Sequence, residues 1–248
     1  MPVKKLALTA GHYYYTSGKR CLKALDPAET REWQLNDRVA DKVQAMLDEY
    51  DGIEILRTDD TTGKNEVTLA QRVKKANDFG ADFYLSIHHN AGINGGPGGG
   101  IVVYVCPGAT TAAVWQKKFY NALIAHTGLK GNRSNPLGEK NLYECVNTAM
   151  PAVLIENGFM DSKTDVPIIL TDAHATKTAE AIVEVIVSMW GLKRKGSQIV
   201  YTPPDPPVED TTDTGAEMLK KVYDRLGDAE EAVAEAKSNL AEVMKATA

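Results

Sequence analysis

No uninterrupted apolar run in the 248 residues approaches the roughly 20 that a bilayer-spanning helix needs, so membrane insertion by a helix is not expected. Cysteine is scarce as well. Cys21, Cys106 and Cys145 are an odd number without metal-ligand spacing, which fits reduced, packed thiols in a reducing compartment and argues against a disulfide scaffold. A basic surplus is also missing: the first 199 residues carry 23 Lys+Arg against 22 Asp+Glu, and the whole chain stands at −5. Counterion release needs a basic face, so no nucleic-acid partner is expected. The N-terminus has Lys4 and Lys5 but too few apolar residues before Gly11 for the core of a secretory signal, and the expectation is a chain made and kept in the cytoplasm. What remains is an ordinary globular composition, 43% hydrophobic and 25% charged.

Short apolar or alternating runs at Lys4 to Thr9, Ile53 to Arg57, Phe83 to Ile87, Ile101 to Val105 and Ala152 to Ile155 predict strands. Between them, three-to-four spacing of apolar residues predicts helices over about Thr30 to Leu47, Thr68 to Phe79, Thr110 to Ala125 and Ala173 to Met189. Alternation of the two predicts an α/β domain over residues 1–200, three-layered, with a mainly parallel twisted sheet flanked by helices. On such sheets ligands gather at the carboxyl ends of strands.

Two regions follow that domain. Residues 201–215 hold four of the eleven prolines, four acids and no base, the composition of an extended spacer. Residues 216–248 contain Leu219, Val222, Leu226, Ala229, Val233, Ala236, Leu240 and Val243, an a/d seam over about four heptads. An isolated helix is marginal in water, so this coiled-coil-like tail predicts a partner, and self-association into a homo-oligomer is the expectation.

Five histidines can be weighed singly. His12 follows the first predicted strand and His88 ends the third, so both fall at carboxyl ends, where a metal or substrate would bind. His89 should turn to the opposite side by strand alternation. His126, at a helix end, and His174, in a TDAH helix start, read as surface or capping residues. Asn90 is a candidate for substrate contact or support, and the glycine-rich stretch 92–100 reads as a flexible loop that lacks the Gly-Lys-Ser/Thr ending of a phosphate-binding loop.

The strings LTAGH, ETREWQLN, ANDFGADFYLSIHHNA and MPAVLIENGFMDS, in that order, resemble the zinc-dependent N-acetylmuramoyl-L-alanine amidases of the type-3 amidase family, which cut bacterial peptidoglycan. The resemblance spans about residues 3–190. It implies that His12, Glu32 and His88 bind Zn2+, with Asn36 one turn beyond Glu32 and Glu29 as the rival carboxylate. Two imidazoles and one carboxylate leave zinc's fourth position open, as a catalytic site requires. The family's catalytic acid falls on Glu156 in AVLIENGF, and a carboxylate on a buried strand is costly unless paired or functional. The loop TAGHYYYTSGKR departs from the family's more glycine- and aspartate-rich form, leaving Tyr13, Tyr14 and Tyr15 either to line a glycan groove or to pack. Because no signal peptide is expected and the tail is no familiar wall-binding repeat, the chain looks like a bacteriophage endolysin, an enzyme that waits in the host cytoplasm until lysis and then acts on the wall. Rival readings are another zinc peptidase acting on stem peptides, a bacterial autolysin, and a non-catalytic wall-binding protein.

Overall fold

The structure is a computed structural model and describes residues 2–129, 131 and 136–196. Along the chain come β1 (Lys4–Ala10), α1 (Glu32–Leu47), β2 (Tyr50–Asp51), β3 (Ile53–Arg57), α2 (Leu69–Phe79), β4 (Phe83–Asn90), β5 (Ile101–Val105), α3 (Thr110–Thr127), β6 (Leu137–Glu139), α4 (Tyr143–Asn147), β7 (Ala152–Phe159), α5 (Val166–Ile169), α6 (Asp172–Trp190) and β8 (Lys193–Arg194). Six strands form one sheet in the order β3-β1-β4-β7-β5-β6. All neighbours in it are parallel except β5 and β7, which are antiparallel, so the sheet is mixed and mainly parallel, as expected. The short β2 and β8 pair separately.

Alternation along each strand sorts residues to two faces. Leu6, Leu8, Phe83, Leu85, Ile87, Val103, Val153 and Ile155 join buried residues of α1, α3 and α6 in the main core. The opposite face carries a much smaller apolar cluster of Ala7, Ala76, Ala81, Tyr84 and Ala152, with α2 and α4 against it.

Local chemistry sets the starts of α1 and α2 slightly inside the predicted ranges. At α2, Thr68 is the cap: its hydroxyl accepts the Gln71 N–H at 3.3 Å while Gln71 Oε1 accepts the Thr68 N–H at 2.9 Å. At α1, Gln34 Oε1 likewise accepts the Arg31 N–H at 2.9 Å, so Glu32 is the first helical residue. β4 and β7 outrun their apolar stretches because the ladder continues through polar residues, with His88 opposite Glu156. The short β6, α4 and α5 have no periodicity to read and were not expected.

The glycine-rich stretch, expected to be a flexible loop, is tied down. Asp161 Oδ2 accepts the N–H groups of Gly92, Ile93 and Asn94 at 2.9, 2.9 and 2.8 Å, and Asp165 Oδ2 accepts that of Gly100 at 2.6 Å. The proline-rich spacer 201–215 and the heptad tail 216–248, with the self-association expected of it, lie outside the described residues.

Candidate metal centre

His12, Glu32 and His88 meet at the carboxyl edge of the sheet. One ligating atom from each lies within 4.8 Å of the others. Glu32 stands between the rings, its Oε2 3.2 Å from His12 Nε2 and its Oε1 3.0 Å from His88 Nδ1. The ring centroids of the two histidines are 5.0 Å apart and nearly perpendicular.

Each group is held by a distinct piece of backbone. β1 ends at Ala10, and Gly11 lets the chain pass over His88: a Cβ on Gly11 would fall 2.1 Å from the His88 ring. His12 then takes a positive φ of 67°, and its carbonyl accepts from Arg72 of α2 at 2.6 Å. The same guanidinium donates to Ala10 O and Thr9 Oγ1, both at 2.6 Å, so a buried arginine fixes the strand end from below. Asn36, one turn after Glu32, donates to Gly11 O at 3.1 Å and accepts from His89 Nδ1 at 2.8 Å. It thereby ties α1 to both strands that supply the histidines.

His88 and Glu156 are register partners on adjacent parallel strands, which sends their side chains to the same face side by side. His89 goes the other way, fully buried on the α1 side. Burial, with the neighbouring His174, pushes its imidazole down to about 3, so it stays neutral and donates to Asn36.

Electrostatics divide the two carboxylates. Burial works to raise Glu32, but its bonds and charge contacts with His12 and His88 take it well below the usual carboxylate range. Burial lowers His12, partly offset by Glu32, whereas at His88 the bond to Glu32 and the charges of Glu32, Glu156 and Glu144 outweigh burial and raise it. Burial lifts Glu156 to about 7, with His88 opposing and Glu32 assisting the rise. Nε2 of His88 and Oε2 of Glu156 are buried without a hydrogen-bond partner among the described residues, and Oε2 of Glu32 meets only the ion-pair contacts to His12 and Lys19. Buried polar atoms are ordinarily paired, so a converging set of orphans with nitrogen and oxygen donors is what a cation and its water would complete.

Other residues named from the sequence lie elsewhere. Glu29, the rival ligand, pairs with Arg20 at 3.1 Å, outside the cluster. His126 is on the surface between Glu180 and Glu184. His174 is a correction: it is buried rather than on the surface, it does not cap α6 with its ring, and its Nε2 meets Asn157 O at 3.2 Å, while Thr171 is the cap. Asn90 is taken up locally, its Oδ1 accepting the Ala91 N–H at 2.9 Å.

Three residues at the site escaped the sequence reading: Arg72, already placed against the end of β1, and Lys19 and Glu144. Lys19 Nζ lies 3.6 Å from Glu32 Oε2. Glu144, on the short α4, is buried, accepts from the Tyr84 hydroxyl and from Ser86 Oγ, and lines a cavity of about 230 Å3 together with His12, Tyr13, Arg72 and His88. Burial and the Glu144 charge hold the Tyr84 phenol well above its ordinary value.

Fold and cluster define a class: an α/β protein with a two-histidine, one-carboxylate cluster and an adjacent half-buried carboxylate at the carboxyl edge of a mixed sheet. Within it, the chain belongs to the N-acetylmuramoyl-L-alanine amidase family, whose profile matches residues 6–188. It is 33% identical over 158 residues to N-acetylmuramoyl-L-alanine amidase CwlM of Bacillus licheniformis, covering 62% of this chain and 58% of that one. It is 31% identical over 183 residues to the sporulation-specific N-acetylmuramoyl-L-alanine amidase of Bacillus subtilis (strain 168), covering 71% and 68%. It is also 31% identical over 194 residues to the endolysin of Bacillus phage SPP1, covering 77% and 68%. The fold matches the catalytic domain of CwlV, the amidase from Bacillus (Paenibacillus) polymyxa var. colistinus, with a TM-score of 0.67 and 24% identity over 77% of this chain and 100% of that one. The Clostridium difficile 630 amidase gives a TM-score of 0.68 and 23% identity over 77% and 98%.

Proposed function

We propose that the chain hydrolyses the amide between the lactyl group of N-acetylmuramic acid and the L-alanine of the stem peptide in bacterial peptidoglycan. In this reading His12, Glu32 and His88 hold zinc and Glu156 moves the proton. The observation that carries it is the convergence of those three donors beside a half-buried glutamate in the next strand whose Oε2 is buried without a hydrogen-bond partner among the described residues.

Bound there, zinc supplies Lewis acidity, which makes water nucleophilic near neutral pH and polarises the scissile carbonyl. Glu156 does the rest of the acid–base work. Its carboxylate takes the proton of the attacking water at Oε2 and delivers it to the leaving nitrogen of L-alanine, so one group serves as base and then acid. A carboxyl raised towards neutrality by burial suits both roles. Arg72 and Asn36 act through His12 and Gly11, keeping the β1 end in the conformation that presents the first histidine. Lys19 lends positive charge beside Glu32, where negative charge gathers.

The relative named an endolysin covers 77% of this chain, and it supports a bacteriophage lysis role in which the enzyme waits in the host cytoplasm and reaches the wall once the membrane is breached. Among the described residues no helix is long and apolar enough to cross a membrane. The division into a catalytic domain 1–200, a spacer 201–215 and a tail 216–248, with self-association through the heptad seam, rests on the sequence pattern. Light scattering of the full chain tests it: a monomer contradicts self-association.

Mass spectrometry of a peptidoglycan digest tests the activity. Whole stem peptides with a free L-alanine amine, released from intact glycan, are expected. Trimmed peptides still attached to glycan would instead make the chain a zinc peptidase.

A further inference from the structure

The segment after His12 is unusually aromatic, and the proton-transfer chemistry leaves it unused. Tyr13 lines the same cavity as His12 and His88. From there edge-to-face ring contacts run back to the core: the Tyr13 and Tyr15 centroids are 6.2 Å apart, Tyr15 and Tyr14 5.1 Å, and Tyr14 and the half-buried Trp33 6.2 Å. The rings are held rigidly. Tyr13 N–H donates to Thr16 Oγ1 and Thr16 N–H to Tyr13 O, each at 3.1 Å, while Tyr14 N–H donates to Gly63 O at 3.0 Å. Gly63, at a φ of 65°, passes so close beneath Trp33 that a Cβ would lie 2.6 Å from the indole, and the Arg31 guanidinium sits 5.8 Å over the Tyr14 ring. Despite this fixed support, Tyr14 is 37% and Tyr15 64% exposed. Aromatic rings locked together and left facing solvent beside a reaction centre mark a ligand surface more than a packing one.

We propose that Tyr13, Tyr14 and Tyr15 form a carbohydrate subsite that seats the β-1,4-linked, N-acetylated amino-sugar strand of the substrate on the His12 side of the metal centre. The inference rests on the amidase reading, which fixes the distance. Only an ether oxygen and one carbon separate the muramic ring from the scissile carbonyl, so a carbonyl held at the cluster puts its sugar against the cavity wall where Tyr13 stands. The strand continues from that sugar as further pyranose rings, and Tyr15 and Tyr14 follow Tyr13 as further aromatic rings. Ring faces stack on the C–H faces of pyranoses without needing charge, whereas the stem peptide carries carboxylates that want cationic donors.

Two measurements on the full chain test this. The first titrates a peptide-free probe, the β-1,4-linked N-acetylglucosamine tetramer, into the wild type, Tyr15→Ala and Tyr15→Trp. The wild type should bind it, Tyr15→Ala should weaken binding about tenfold, and Tyr15→Trp should restore it. The second compares kcat/KM for a multi-disaccharide glycan peptide with kcat/KM for a single muramoyl peptide. That ratio should fall about tenfold in Tyr15→Ala, through KM. Equal thermal unfolding of the variants checks that the exposed ring is not a fold determinant. Tetramer binding that is absent in the wild type or indifferent to Tyr15, or an unchanged ratio, overturns the subsite. A wild type that leaves both substrates uncut while tetramer binding still depends on Tyr15 would overturn the amidase reading and leave the sugar subsite standing.

Discussion

The two faces of the sheet are built to different ends. Towards α1, α3 and α6, alternate strand residues are Leu, Ile, Val and Phe, and they merge with three helices into one continuous apolar core. Towards α2 and α4, the same strands present Thr9, Ser86, His88 and Glu156, with Arg72 and Glu144 buried against them and only a small cluster of mostly alanines for apolar contact. A period of two residues is all that separates these sets. One face therefore supplies stability, and the other can hold buried polar groups, some unpaired, that would otherwise cost free energy with no return in packing. The candidate centre sits where the polar face reaches the carboxyl edge.

Substitutions should separate the two faces. The largest effect is expected at the cluster: replacing His12, Glu32 or His88 with Ala removes zinc binding and activity together, measured by metal analysis alongside a wall-digest assay, because a three-ligand site does not readily lose one. Next comes Glu156→Gln, which should retain zinc while turnover falls by at least about 100-fold. Near-normal turnover would remove Glu156 from the mechanism. The mirror-image case is Phe119→Ala in the apolar core, where the ring packs against Phe83 and Trp115. Chemical unfolding should show a loss of about 3–5 kcal/mol, with activity per folded molecule little changed.

The smallest effect concerns acid. The folded His89 site takes up a proton only near pH 3, whereas the unfolded chain does so near the ordinary value of 6.5. The unfolded state thus binds more protons between those limits, and stability falls as pH drops below about 6.5, by about 2 kcal/mol at pH 5 from this residue. Urea unfolding of the metal-free protein at pH 7 and pH 5 should reveal the loss, and His89→Gln should flatten it. An equally steep fall in that variant would assign the acid sensitivity to other groups.

Much of this was legible in the sequence, for physical reasons. Strand alternation and helical spacing located the long elements, since burial on one face imposes a period. His12, His88, Glu32 and Glu156 stood out because polar residues beside apolar strands, or in a recognisable string, are conspicuous. Glu144 was not. It lies on a helix of five residues, too short for periodicity, and its burial follows from Tyr84 and Ser86, about 60 positions earlier. His174 was misplaced because a helix start suggests solvent, whereas this one is pressed against the β7 carbonyl of Asn157. The glycine-rich stretch read as loose because the carboxylates that bind it, Asp161 and Asp165, come more than 60 residues later. Pairings across that separation leave no local signature.

Zinc-edge X-ray absorption on the metal-stripped and reloaded full chain tests whether the polar face ends in a zinc site made by His12, Glu32 and His88. One zinc per chain with only nitrogen and oxygen neighbours at about 2.0–2.2 Å is expected, with loss of that signal in His88→Ala. Sub-stoichiometric binding, sulfur neighbours, or an unchanged spectrum in His88→Ala would contradict that assignment.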